Sequence, residues 1–140
     1  MKPAGYSGTP LEKKLGIVNG ANVRLLFQPA HYFDLFTRFP DDVQLSEGAA
    51  SKKDLIHLFV KNEQELYDHL PGLVNEMKSN GCIWVSWPKK SSRLFKDLTE
   101  DKIRDLALRS GLVDVKVCAI DPDWSGLKLV IPVKNRKSEA

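Results

Sequence analysis

Two stretches of this chain run without a charge: Leu55-Ile56-His57-Leu58-Phe59-Val60 and Cys82-Ile83-Trp84-Val85-Ser86-Trp87. The second opens at Gly81 and stops at Pro88. A strand with one wet face alternates polar and apolar positions, whereas a parallel strand covered by helices on both sides has no wet face to mark. Both stretches therefore predict buried parallel strands lying side by side. Val23–Phe27, with Arg24 as its one charge, predicts the first strand, and Asp42–Leu45 a short second one. Val113, Val115, Val117 and Ala119 alternate with Asp114 and Lys116, which predicts a strand with its valines inward. Leu127–Val133 is the expected last strand, and Pro132 places it at a sheet edge because proline cannot donate to a central ladder.

Between these strands the spacing turns helical. Thr9-Pro10-Leu11-Glu12 reads as a helix start, with Thr9 as cap, Glu12 closing a capping box and Gly16 as the stop. Tyr32, Phe33, Phe36 and Phe39 recur at three- and four-residue intervals, which predicts a helix over Ala30–Phe39. Asn62 caps a stretch from Glu63 to Ser79, kinked or split at Pro71. Thr99 caps a helix with Glu100 and Asp101 in its first turn, Ile103, Leu106 and Ala107 facing the sheet, and Gly111 at its end. Strands alternating with helices predict a three-layer, Rossmann-like α/β fold, mostly parallel, with strand order 2-1-3-4-6-5 and a closing antiparallel hairpin at the edge. The length suits one domain over 1–140, with an N-terminal arm and short helix over 1–20 and a flexible tail over 134–140.

Composition changes this picture little. The 140 residues are 42% hydrophobic and 28% charged, ordinary for a folded domain. The net charge is +3 and the basic residues scatter, so nucleic acid is not supported as a partner. No apolar run approaches a membrane span and no signal peptide is recognisable. Cys82 and Cys118 stand apart without a CxxC pair, which points to reduced thiols, a cytoplasmic setting and no metal site.

Candidate chemistry gathers where strands end, because open α/β sheets keep their ligand crevices at the carboxyl ends. After the first strand come Gln28, Pro29 and Tyr32, and a helix beginning at Pro29–His31 would offer free N–H groups to an anion. Glu47 lies about 20 residues on, where an acid can hold ribose hydroxyls. Trp87, Lys89 and Lys90 follow the central strand, and lysines there suit a phosphate or carboxylate. His57 reads as a core histidine, His31 and His69 as surface groups, and Ser86 lacks a nucleophile-elbow context. Tyr6 and Trp124 are candidate contacts for a protein partner, being aromatic and outside the strand-helix pattern.

The second half, Asp54–Trp87 and Gly111–Val133, resembles the class I methyltransferases. The resemblance implies a glycine-rich turn after the first strand, yet Phe27-Gln28-Pro29-Ala30-His31-Tyr32 has no glycine. The chain is also similar to a bacterial family of unassigned function. The similarity rests on Gly5-Tyr6-Ser7-Gly8-Thr9-Pro10-Leu11, Lys14-Leu15-Gly16, Trp84-Val85-Ser86-Trp87-Pro88-Lys89, Leu98-Thr99-Glu100-Asp101, Gly111–Ala119 and Trp124-Ser125-Gly126-Leu127-Lys128. The aromatic Ala30–Phe39 segment departs from that family's smaller, more glycine-bearing one. Three readings follow: a non-catalytic domain binding a small molecule or protein, a divergent S-adenosylmethionine-dependent methyltransferase using Glu47, Lys89 and the loop after Trp87, and a regulatory module. No cofactor is assigned.

Overall fold

A computed structural model describes residues 8–48 and 50–136. Its centre is the expected pair, β3 (Lys53–Phe59) and β4 (Met77–Pro88), which run parallel with Ile56 beside Ile83 and Leu58 beside Val85. Over Leu55–Phe59 and Cys82–Pro88 both strands are dry on both faces. Ile56, Leu58, Ile83 and Val85 pack under two helices, α2 (Glu63–Leu73) and α3 (Glu100–Arg109). Leu55, Phe59 and Trp84 pack on the other side beneath α1 (Leu11–Leu15) and an aromatic turn. With β1 (Asn22–Leu26), β2 (Gln44–Leu45), β5 (Val113–Ala119) and β6 (Trp124–Val130), the sheet has the order β2-β1-β3-β4-β6-β5. Strands β2, β1, β3 and β4 are parallel, and β6 is antiparallel to both its neighbours. This is the predicted three-layer α/β order.

Several local expectations are corrected. Strand β6 lies between β4 and β5, so β5 takes the edge, and Pro132 falls beyond the last ladder pair, where its missing N–H costs nothing. The Ala30–Phe39 segment is not a helix but a single 3-10 turn over Tyr32–Leu35. Its rings stack edge to face, Tyr32 on Phe36 at 5.1 Å and Phe36 on Phe39 at 5.2 Å, so the aromatic spacing serves a ring cluster between Pro29 and Pro40. Thr9 makes no capping bond; Pro10 is the N-cap, and Glu12 turns inward to accept from the Thr37 and Arg38 N–H groups. The long helix from Glu63 ends at Leu73, two residues past Pro71, and a 3-10 turn over Val74–Glu76 leads into β4 four residues before Gly81. In β5 the valines do not point inward: Val115 and Val117 are 55% and 52% exposed while Cys118 is buried. One extra residue between Asp114 and Lys116 shifts the ladder, and such a bulge flips every side chain after it to the other face. Of the expected tail, Lys134 and Asn135 close a 3-10 turn, while 137–140 lie outside the described residues.

Gly81 sits in a second irregularity. Lys53 pairs with Met77 but Leu55 with Cys82, so Lys78–Gly81 loop out opposite Asp54. A Cβ on Gly81 would stand 2.7 Å from the Lys53 carbonyl oxygen and 2.9 Å from that of Asp54, both backbone atoms that cannot rotate aside. Gly81→Ala is therefore expected to cost about 2–3 kcal/mol by forcing the β3–β4 pairing apart. Urea unfolding checks this; an unchanged midpoint would mean that the bulge can relax.

Candidate functional site

The strand order reverses between β1 and β3, and a doubly wound sheet opens its crevice at the carboxyl end of that junction. Here the chain sets its own rings on either face of the junction. Phe27, directly after β1, has φ +58°, the left-handed region that glycine adopts freely and that costs a bulky residue about 1–2 kcal/mol. Its exposed ring meets the ring of His69 on α2 at 4.8 Å. The turn geometry expected of a glycine is thus present, carried by a phenylalanine. On the opposite face Tyr32 is buried and packs edge-on against Phe59, the last residue of β3.

Beneath Tyr32 runs a buried polar chain. The Tyr32 hydroxyl lies 3.0 Å from His57 Nδ1, and His57 Nε2 lies 2.7 Å from Ser86 Oγ. His57 stacks on Phe59 with centroids 4.3 Å apart. Burial pushes the His57 pKa down to about 3 and the Tyr32 phenol well up, so both stay neutral at ordinary pH. His57 is the satisfied core histidine its sequence context implied. Pro29 contributes only its carbonyl, which accepts from the Tyr32 N–H. With no helix after β1, the expected anion site at Pro29–His31 has no helix N-terminus behind it. His31 instead ties this turn to the β5–β6 connection, its Nε2 2.9 Å from Asp121 Oδ2. Asp121 Oδ1 in turn accepts from the Asp123 and Trp124 N–H groups.

The remaining candidates divide between two clefts. Gln28 and Glu47 come together with Leu25, Leu45 and Ser46 around a small hollow of about 180 Å³ at the ends of β1 and β2. Trp87, Lys89 and Lys90 come together with Leu98, Thr99, Glu100, Asp101 and Ser125 around a larger one of about 400 Å³. This second cleft lies where β4 runs out and α3 begins. Its lysines face two carboxylates that are themselves held by Arg104. The Lys89 N–H donates to the Asp123 carbonyl, fixing the loop to the hairpin turn. A cleft with both signs of charge suits a polar ligand carrying both, more than a bare anion.

Trp124, expected outside the strand-helix pattern, opens β6, 4% exposed, with Phe59 against its edge at 5.0 Å. A ring so buried has no face to give a partner. Tyr6 lies outside the described residues. Among the described residues no group of three His, Cys, Asp or Glu is placed to hold a metal ion, and no helix is long and apolar enough to cross a membrane. Cys82 and Cys118 are free and buried. The strained Phe27 turn and the Tyr32–His57–Ser86 chain have no signature in the sequence, because each depends on the register of separate strands.

The family model described as Protein of unknown function (DUF3052) matches residues 39–133. The chain belongs to this family. The match covers both clefts' Glu47, Trp87, Lys89 and Lys90 but begins after the aromatic turn at Tyr32. No curated protein matches the chain. Among solved structures, a Methanococcus jannaschii fibrillarin pre-rRNA processing protein matches with a TM-score of 0.57 and 13% identity, over 82% of this chain and 68% of that one. A ribosomal protein L11 methylase from Lactobacillus delbrueckii subsp. bulgaricus matches at 0.54 and 13% identity, over 86% and 75%. The glycopeptide N-methyltransferase MtfA complexed with sinefungin matches at 0.54 and 8% identity, over 87% and 91%. At such identities the likeness is one of fold. This member of the family has the Rossmann-like methyltransferase fold.

Proposed function

We propose that this protein uses a methyltransferase-type fold as a cytoplasmic small-molecule-binding domain and does not transfer methyl groups. One observation supports the reading: Phe27, Tyr32 and Phe59 crowd the carboxyl end of the β1–β3 junction from its two faces, where such sheets cradle a ligand on a glycine-bearing turn. The ligand then belongs in the cleft between β4 and α3. There Trp87, 7% exposed, forms part of the wall, and Lys89 and Lys90 meet a carboxylate or phosphate. Partner binding through the Tyr6–Thr9 arm is compatible with this reading.

The methyltransferase alternative is favoured by one specific juxtaposition. Glu47 and Gln28 share a hollow at the ends of β1 and β2, where an acid can hold ribose hydroxyls. Isothermal titration with S-adenosylmethionine, S-adenosylhomocysteine and nucleotides separates the two. The binding-domain reading expects no heat from the first two, and no labelled methyl passed to cell extract. Saturable S-adenosylmethionine binding, with methyl transfer abolished by Glu47→Ala, would replace it with the enzyme.

A further inference from the structure

We propose that a third cleft, between α1 and β5, is an anion site for a small phosphate-bearing molecule, with Lys13, Lys14 and Lys116 as its cationic walls. The cleft holds about 300 Å³, the lower end of the range for small-molecule sites, and Thr9 and Cys118 complete its lining. It stands apart from both clefts at the ends of β1, β2 and β4, and shares no residue with them.

Charge sets it apart further. The β4–α3 cleft sets two lysines against two carboxylates, whereas among the described residues this one is lined by three lysines and no carboxylate. None of the three forms an ion pair with a described carboxylate. Two structural features bring this about. The acid of α1, Glu12, is turned away and engaged by the Thr37 and Arg38 N–H groups. The acid of β5 nearest Lys116, Asp114, is separated from it by the bulge. In a regular strand Asp114 and Lys116 would share a face. Here Asp114 reaches Arg104 on α3, while the Lys116 ammonium crosses to the other side and donates to the Lys14 carbonyl at 3.2 Å. The bulge thus strips Lys116 of its neighbouring acid and delivers it to two more lysines, some hundred residues away in sequence.

Like charges gathered at a half-open surface repel one another, which a bound anion reverses. Lysines act on phosphate as point charges with rotatable donors and need no fixed fork. The site is a single small hollow on a chain whose other basic residues scatter, so it fits a phosphorylated small molecule and not the repeating backbone of a nucleic acid.

Pyrophosphate is the probe. Titrated into the ¹⁵N-labelled protein at low salt, it is expected to shift the amides of Lys14, Lys116 and Cys118 saturably, with Kd below about 10 mM. Lys13→Gln and Lys116→Gln each weaken that binding roughly tenfold. Lys89→Gln, in the other cleft, leaves it unchanged. Lys13 and Lys116 are exposed and glutamine keeps most of the stem, so the amide spectrum of each variant will confirm an intact fold. Shifts that do not saturate, or that survive Lys116→Gln, overturn the site. Shifts confined to Lys89 and Lys90 also overturn it, and would speak only to the β4–α3 cleft. Tighter binding of duplex DNA than of pyrophosphate at the same amides overturns the ligand class.

Discussion

Acidification is expected to destabilise this protein by on the order of 4 kcal/mol through His57 alone, between pH 6.5 and pH 3. The ring is fully buried between strands, against Phe59 and hydrogen-bonded at both nitrogens to neutral hydroxyls. No carboxylate accompanies it, so a charge there would be desolvated without compensation. The unfolded chain takes up a proton as pH falls through about 6.5, while the folded one refuses it until about pH 3. Over that window the unfolded state binds more protons, and stability drops by about 1.4 kcal/mol per pH unit as pH falls. Above pH 6.5 this contribution is fully present and flat. Urea unfolding at a series of pH values measures the slope. His57→Gln removes the titrating group and is expected to flatten the curve in its upper half, before carboxylates begin to titrate. The native-state proton spectrum gives a direct check: the His57 ring resonances should stay constant from pH 8 to pH 5. A His57 that titrates near 6.5 with the fold intact would show that the polar chain opens to solvent.

Replacing Trp84 by alanine is expected to cost at least about 4 kcal/mol, a large share of the roughly 5–15 kcal/mol that holds a domain folded. The indole is wholly buried at the centre of β4 and lies in the layer beneath α1. Its Nε1–H donates to the Leu15 carbonyl at 2.9 Å, one of the otherwise unpaired carbonyls at the end of a very short helix. Gly126 on β6 exists to admit it: a Cβ there would stand 3.2 Å from the indole Cε3 and 3.0 Å from Ile120 Cδ1. Alanine at 84 therefore leaves a cavity, an orphaned carbonyl and α1 without its anchor. Trp84→Phe keeps the ring plane and loses the donor, and is expected to cost roughly half as much. Circular dichroism during urea unfolding measures both. Near-equal costs for the two variants would place the whole effect in the hydrogen bond and not in the packing.

The candidate site was legible only in part. Trp87, Lys89 and Lys90 are neighbours in the chain, so a strand ending at Pro88 must bring them to one edge, and they do line one cleft. Gln28 and Glu47 meet because β1 and β2 are parallel and adjacent, as the strand order implies. Tyr32 faces the core, as an aromatic stripe at that spacing implies, and a 3-10 turn in place of the expected helix sets its hydroxyl on His57. The lysine cleft was out of reach entirely. It requires a bulge in β5, and nothing in the run Val113-Asp114-Val115-Lys116-Val117 separates a bulged strand from a regular one.

What the sequence by itself determined is the frame: charge-free runs around Ile56 and Ile83 have no wet face, so they must lie covered on both sides, and the strands and helices between them have few ways to wind. Only the tertiary structure decided which side chains turn where. A single extra residue in β5, a looped segment at Gly81 and a left-handed Phe27 reset the facing of everything beyond them. Such steps are local in energy but take their direction from packing against distant strands, which hydrophobic periodicity does not record.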